Sequence, residues 1–264
     1  MLATTCLAAP IASGPATAQS WNLYSGTTSF FVPFWGLDSS GSLQRVSMSA
    51  NQPGQVWLSL NGGQPTLFTM DTGSSGIIAS AKNNLGQTVF PVSGPSLGAG
   101  SQYYDSSGVR LNGQYYLTNV SIRSSASTEV TTATVVALLV ESQSCQFTTK
   151  GCSPHSNPTD IAYMGVGFDR GVSAITPPGP NTNVNPFINV NMPSSSYSQG
   201  YLITKSGVQL GLTNASTANY AFVKLAPNAA AAGQQSSAWL QAPMTITVGG
   251  ATGSGQVLPD SGIN

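Results

Sequence analysis

The chain has 264 residues, only 6% of them charged, and a formal net charge of zero. That excludes a basic face for nucleic acid or anionic lipid. A hydrophobic content of 40% excludes wholesale disorder, and the length suits one large or two modest domains.

The first residues, MLATTCLAAPIASGPATAQSW, carry no charge. Ala16-Thr17-Ala18 before Gln19 offers small residues three and one places ahead of a cut, as signal peptidase requires. Residues 1–18 therefore read as the remnant of a signal peptide, and the protein as secreted or periplasmic; a flexible Ala-rich leader is the alternative. No run reaches the ~18–20 apolar residues that span a membrane as a helix. Residues 19 to about 50, aromatic-rich from Trp21 to Ser42, read as a strand region or a pro-segment, and with Arg45 the only basic residue before Lys82 a basic plug over a cleft is not expected.

Alternating or continuous β-type segments follow. They are VWLSL (56–60), TLFTM (66–70), GIIAS (76–80), QYYLTNVSI (114–122), TTATVVALLV (131–140), TITV (245–248) and GQVLPD (255–260). NGGQP, NNLGQ and PVSGPS mark turns between them. The prediction is a mainly β protein, with short helices near KNNLG or within 215–235. ITPPGPNTNVNP (175–186) reads as a linker or surface connection, because paired prolines resist helix and central strand alike.

Three cysteines are present. Cys6 falls in the leader. Cys145 and Cys152 enclose the turn-like QFTTKG and are expected to join as a hairpin staple in an oxidising compartment. With the lone His155 they would give three ligands in no zinc spacing, so no metal is expected, and His155 reads as a solvated loop residue.

Two short stretches share one frame. LFTMDTGSSGI (67–77) is a strand, then Asp71, the hydroxyl residue Thr72 and Gly73; GQVLPDSGIN (255–264) is a strand, then Asp260, Ser261 and Gly262. One such turn is an ordinary strand ending, since Asp bonds its own downstream backbone and Gly tolerates positive φ. Two in equivalent frames suit a catalytic pair. Carboxylates about 3 Å apart cannot both ionise, so they share a proton and titrate in two steps. The ionised member takes a proton from water, and the protonated member donates to the developing oxyanion. Gly73 and Gly262 allow backbone N–H groups to approach the carboxylates. Thr72 and Ser261 can bond across to the opposite loop, and Ser74 can bond Asp71.

With these motifs the chain resembles a pepsin-like aspartic peptidase, in patches from about residue 50 to the end. AGSQYYDSSGVRLNG (99–113) resembles the flap hairpin of that family, with Tyr104 as the flap tyrosine and Tyr103 as the other candidate. IAYMGVGF (161–168) resembles the apolar-apolar-Gly strand that passes through the loop of the first Asp. GYLITKSGVQLGLT (200–213) resembles the opening of the C-terminal lobe, and WLQAPMTITVGG (239–250) the strands before the second Asp. The resemblance implies a bilobal fold, with residues 19–190 as the N-terminal lobe and 191–264 as an incomplete C-terminal lobe. It implies an endopeptidase with Asp71 and Asp260 as the dyad, needing no cofactor, acting as a monomer on a polypeptide held in extended form.

The chain departs from that pattern in four places. Ile263 stands where a hydroxyl would match Ser74, Ser261 replaces the usual Thr, and Asp105 occupies a flap position that is often Gly. The sequence stops four residues after Asp260, which reads as a fragmentary gene product. Two other functions fit the same residues: a non-catalytic binding protein on the pepsin fold, and an exported β-rich adhesin whose Asp-Gly turns coincide by chance.

Overall fold

The computed structural model describes residues 24–49, 52–104, 106–146, 152–168, 175, 177, 183–220, 222, 225–226, 239–257 and 261. Asp105, Asp260, Gly262 and the leader with Cys6 lie outside the described residues. The protein is mainly β. In chain order the strands are β1 (Phe30–Pro33), β2 (Trp35–Leu37), β3 (Leu43–Arg45), β4 (Gln55–Leu60), β5 (Thr66–Asp71), β6 (Ser75–Ser80), β7 (Ala99–Tyr104) and β8 (Val109–Arg123). They continue with β9 (Glu129–Cys145), β10 (His155–Ser156), β11 (Ala162–Val166), β12 (Tyr201–Ile203), β13 (Gly207–Leu210), β14 (Ala242–Val248) and β15 (Ala251–Val257). One helical turn, α1 (Asn214–Thr217), is capped by Thr213 and overlaps the start of the 215–235 stretch where a short helix was expected.

The ten-stranded sheet runs β3-β2-β4-β5-β11-β6-β9-β8-β7, with β10 beside β9. β4 pairs with β8 as well as with β5, so the pairings from β4 through β9 and β8 close into a ring. Closure removes two sheet edges that would otherwise expose unpaired N–H and C=O groups. β8 and β9 form the longest ladder, Val109↔Cys145 to Arg123↔Glu129, with irregularities at Asn112/Gly113 and Ile122/Arg123.

Alternation along a strand feeds two cores. On β9, Val135, Ala137 and Leu139 enter one cluster while Val136, Leu138 and Val140 enter the other. On β6, Ile77 and Ala79 face the first cluster and Ile78 the second, which is why GIIAS is continuously apolar. Each fully buried Ile or Leu contributes about 1.5–3 kcal/mol of transfer free energy, so these central strands fix the register of the sheet.

A smaller sheet, β1-β13-β12, joins the N-terminal aromatic stretch to residues beyond 200, with Phe30↔Leu210 and Pro33↔Gly207 in register. The Tyr201 hydroxyl donates to the Val166 carbonyl and ties that sheet to β11. β14 and β15 pair with each other through a two-residue turn at Gly249-Gly250, both at positive φ.

Three local expectations are corrected. KNNLG forms no helix: Asn83 Oδ1 accepts from the N–H groups of Leu85 (3.1 Å) and Gln87 (2.9 Å), and this side-chain turn replaces helical bonding. The 175–186 segment is not a surface connection where it is described. Ile175 and Val184 are buried in the second cluster, Pro177 is buried, and Asn185 donates to the Val166 carbonyl at 3.1 Å. His155 is exposed but pairs with Gln143 as part of β10 rather than standing in a loop.

Candidate functional site

β5 delivers Asp71 as its last residue, and the turn Thr72-Gly73-Ser74 returns the chain into β6. β11 lies between these two strands, parallel to β5 and antiparallel to β6. Gly165 therefore stands opposite both Asp71 and Gly76. A Cβ at Gly165 would lie 2.5 Å from the Ser74 carbonyl carbon, so only glycine lets the third strand pass at this point. Gly76 has φ +99 and faces Ile175, which closes the other side.

The result is a rigid, nearly dry turn. Asp71 is 7% exposed and Ser74 is 1% exposed. The Gly73 N–H donates to Asp71 Oδ1 at 2.6 Å, a charge-assisted bond in which glycine places the backbone next to the carboxylate. The Gly167 N–H donates to the Ser74 carbonyl at 2.8 Å and anchors the turn to the end of β11.

The second motif reaches the first through its hydroxyl residue. The Ser261 N–H donates to Thr72 Oγ1 at 2.7 Å, and the Thr72 N–H donates to Ser261 Oγ at 3.2 Å. Each loop thus gives one backbone donor and one side-chain acceptor to the other, across 189 residues of sequence. Asp260 and Gly262 flank Ser261 outside the described residues.

The expected bond from Ser74 to Asp71 is not formed. Ser74 Oγ is buried without a hydrogen-bond partner, and so is the Tyr104 hydroxyl. The two are near enough for Ser74 to favour ionisation of Tyr104, yet they do not meet in bonding geometry. Burial dominates at Tyr104 and holds its phenol well above the usual tyrosine range; Tyr163 and the charge of Asp71 push the same way.

Tyr104 ends β7 at the tip of the β7–β8 hairpin, opposite Val109. Tyr103, the preceding residue, points to the other face, since side chains alternate along a strand. Tyr104 packs on Tyr163 of β11, with ring centroids 5.7 Å apart and planes at 54°. Burial raises the Tyr163 phenol too. Sequence reasoning missed Tyr163. The signal was an aromatic residue two places before the glycine in IAYMG, on the strand already assigned to the Asp71 loop.

Cys145 and Cys152 are joined as a disulfide, as their spacing led one to expect. Among the described residues no group of three or more His, Cys, Asp or Glu side chains could hold a metal ion, and no helix is long and apolar enough to cross a membrane. No protein-family model matches the chain, and no curated protein matches it.

Proposed function

We propose that the protein is an aspartic endopeptidase of the pepsin-like kind, with Asp71 and Asp260 as its dyad. The observation that carries this reading is the reciprocal pair of hydrogen bonds between Thr72 and Ser261. The bonds join the hydroxyl residues of two sequence motifs 189 residues apart, and two unrelated strand endings have no reason to exchange backbone donors. The threading of β11 between β5 and β6 and the Tyr104-bearing hairpin fit the N-terminal lobe of such a fold.

In this mechanism the two carboxylates share one proton at acid pH because their mutual repulsion separates their titrations. The ionised carboxylate draws a proton from a bound water, which attacks the peptide carbonyl. The protonated carboxylate gives its proton to the carbonyl oxygen as negative charge builds there. As the C–N bond breaks, the carboxyl that took the water's proton passes it to the leaving nitrogen, and the other carboxylate takes its proton back from the diol hydroxyl. The Gly73 N–H stabilises the anionic form of Asp71 and fixes its plane. The substrate lies extended beneath Tyr104, held by main-chain bonds as an added strand. The reaction needs no cofactor, works on a monomer, and suits a secreted or periplasmic protein.

The test is hydrolysis of an unfolded protein substrate between pH 3 and 6 by the parent and by Asp71→Asn. The expected loss is at least about a thousandfold in kcat, the scale seen when a catalytic group is removed. Equal hydrolysis by both proteins would end this reading. Binding of peptide without hydrolysis by the parent would make it a binding protein on the same architecture.

A further inference from the structure

The hairpin that carries Tyr104 does not stand free. β9 runs beside its second strand to the tip, pairing Asn112↔Ser142, Leu111↔Gln143, Arg110↔Ser144 and Val109↔Cys145. One residue further, the Gln146 N–H donates to the Gly108 carbonyl at 2.9 Å, and the Gly108 N–H donates to the Tyr104 carbonyl at 2.8 Å. A continuous path of backbone bonds therefore links the residue after Cys145 to Tyr104.

This end of β9 has little burial to hold it. Glu141 is exposed and Ser142 to Cys145 are half-buried, in contrast to the fully buried residues before them. Its outer neighbour β10 has only two residues, too short to hold an edge alone. Besides its ladder to β8, this end is tied by the covalent link from Cys145 to Cys152 and by Gln143 Nε2 donating to the Ser153 carbonyl at 2.8 Å. The cross-link keeps the end of β9 beside the chain that enters β10, over a sequence separation of only 7.

We propose that the Cys145–Cys152 disulfide is the positioning device of the β7–β8 hairpin: intact, it holds β9 against the tip and keeps Tyr104 over Asp71, and its reduction by a dithiol frees the tip. In the reduction, a thiolate of the dithiol attacks one protein sulfur and releases the other as a thiolate. The second thiol of the reagent then closes on the first, leaving two protein thiols and one cyclic disulfide. The consequence for catalysis rests on the peptidase reading; the tether itself does not.

Amide hydrogen exchange tests it, on the oxidised protein, on the same protein under a dithiol at native conditions, and on Cys145→Ser/Cys152→Ser. Exchange at Gly108, Val109 and Gln146 is expected to rise about tenfold or more on reduction, while Met70, Ile77 and Met164 in the core keep their rates. The double variant should match the reduced protein and ignore the dithiol. In peptide hydrolysis kcat/KM should fall several-fold on reduction, mainly through KM. Unchanged exchange at the tip would overturn the proposal, as would an equal rise at the core amides, which would make the disulfide a general staple. If the protein hydrolyses nothing, the peptidase reading fails while the exchange rates still decide the tether.

Discussion

The two Asp-hydroxyl-Gly stretches share a sequence frame but differ in surroundings. The first is set between β5 and β6 with β11 passing through, and Met70, Ile77 and Met164 there are all 0% exposed. The second follows a hairpin, β14–β15, whose described pairings are only with each other and whose Ile246 and Val248 are 52% and 71% exposed. Local sequence specifies the strand and the turn in both cases, through alternation and paired glycines. Burial comes from elsewhere in the chain. At Asp71 it is supplied by a strand far downstream, and the glycine at its closest approach has no meaning until that strand is in place.

The largest expected effect follows from that glycine. Gly165→Ala drives a methyl into the Ser74–Ser75 backbone and should cost about 3 kcal/mol of unfolding free energy, the upper end of what overpacking costs. Ile246→Thr on the exposed hairpin should cost under about 0.5 kcal/mol. Denaturant titration of both variants checks the pair. Comparable losses would break the contrast between the two regions, because the hairpin would then be packed as firmly as the threaded loop.

A smaller effect concerns the bridge between the regions. Thr72→Val removes the acceptor of the Ser261 N–H, and Ser261→Ala removes the acceptor of the Thr72 N–H. Each should destabilise by about 1 kcal/mol, and because both bonds span the same two loops the double variant should be non-additive by about 0.5 kcal/mol or more. Strict additivity in a double-mutant cycle would mean that the loops do not act as one unit.

How much of this was legible in the sequence differs by region. The central strands were, because β4, β5, β6, β8 and β9 alternate or run apolar between clear turns. The place of β11 between β5 and β6 came from a family resemblance; a five-residue apolar run has no periodicity that names its neighbours. The pairing of β1 with β13 was not legible, since it joins segments at opposite ends of the chain. The prolines of ITPPGP argued for the surface, yet Ile175 fills the space left by Gly76, a complementarity visible only in three dimensions. At the site, Thr72 and Ser261 were legible as a matched pair of hydroxyls. A bond from Ser74 to Asp71 was not decidable from sequence, because a short side chain beside a carboxylate can turn either way, and here Ser74 Oγ is buried without a partner. Tyr163 was hidden because its role depends on Tyr104, which reaches it from another strand.

The smallest effect asks whether Asp71 is felt by the hairpin above it. Burial raises the phenols of Tyr104, Tyr163 and Tyr197, the last to about 12. Each is buried neutral, so the fold binds its proton more tightly than the unfolded chain does, whose tyrosines titrate near ~10. The stability this gives is complete below that value and declines as pH rises above it, for Tyr197 across the window up to about 12. The difference between the 295 nm titrations of the parent and Tyr197→Phe should therefore show a step near 12. The same difference with Tyr104→Phe should give a step above the ordinary range. Asp71 is the third cause of the Tyr104 shift, after burial and Tyr163. Repeating the Tyr104→Phe difference in an Asp71→Asn background should therefore move that step to lower pH, while the Tyr197 step stays in place. A Tyr104 step indifferent to Asp71 would mean that the hairpin does not face the carboxylate, and the threaded loop would lose the feature that most separates it from the exposed β14–β15 hairpin.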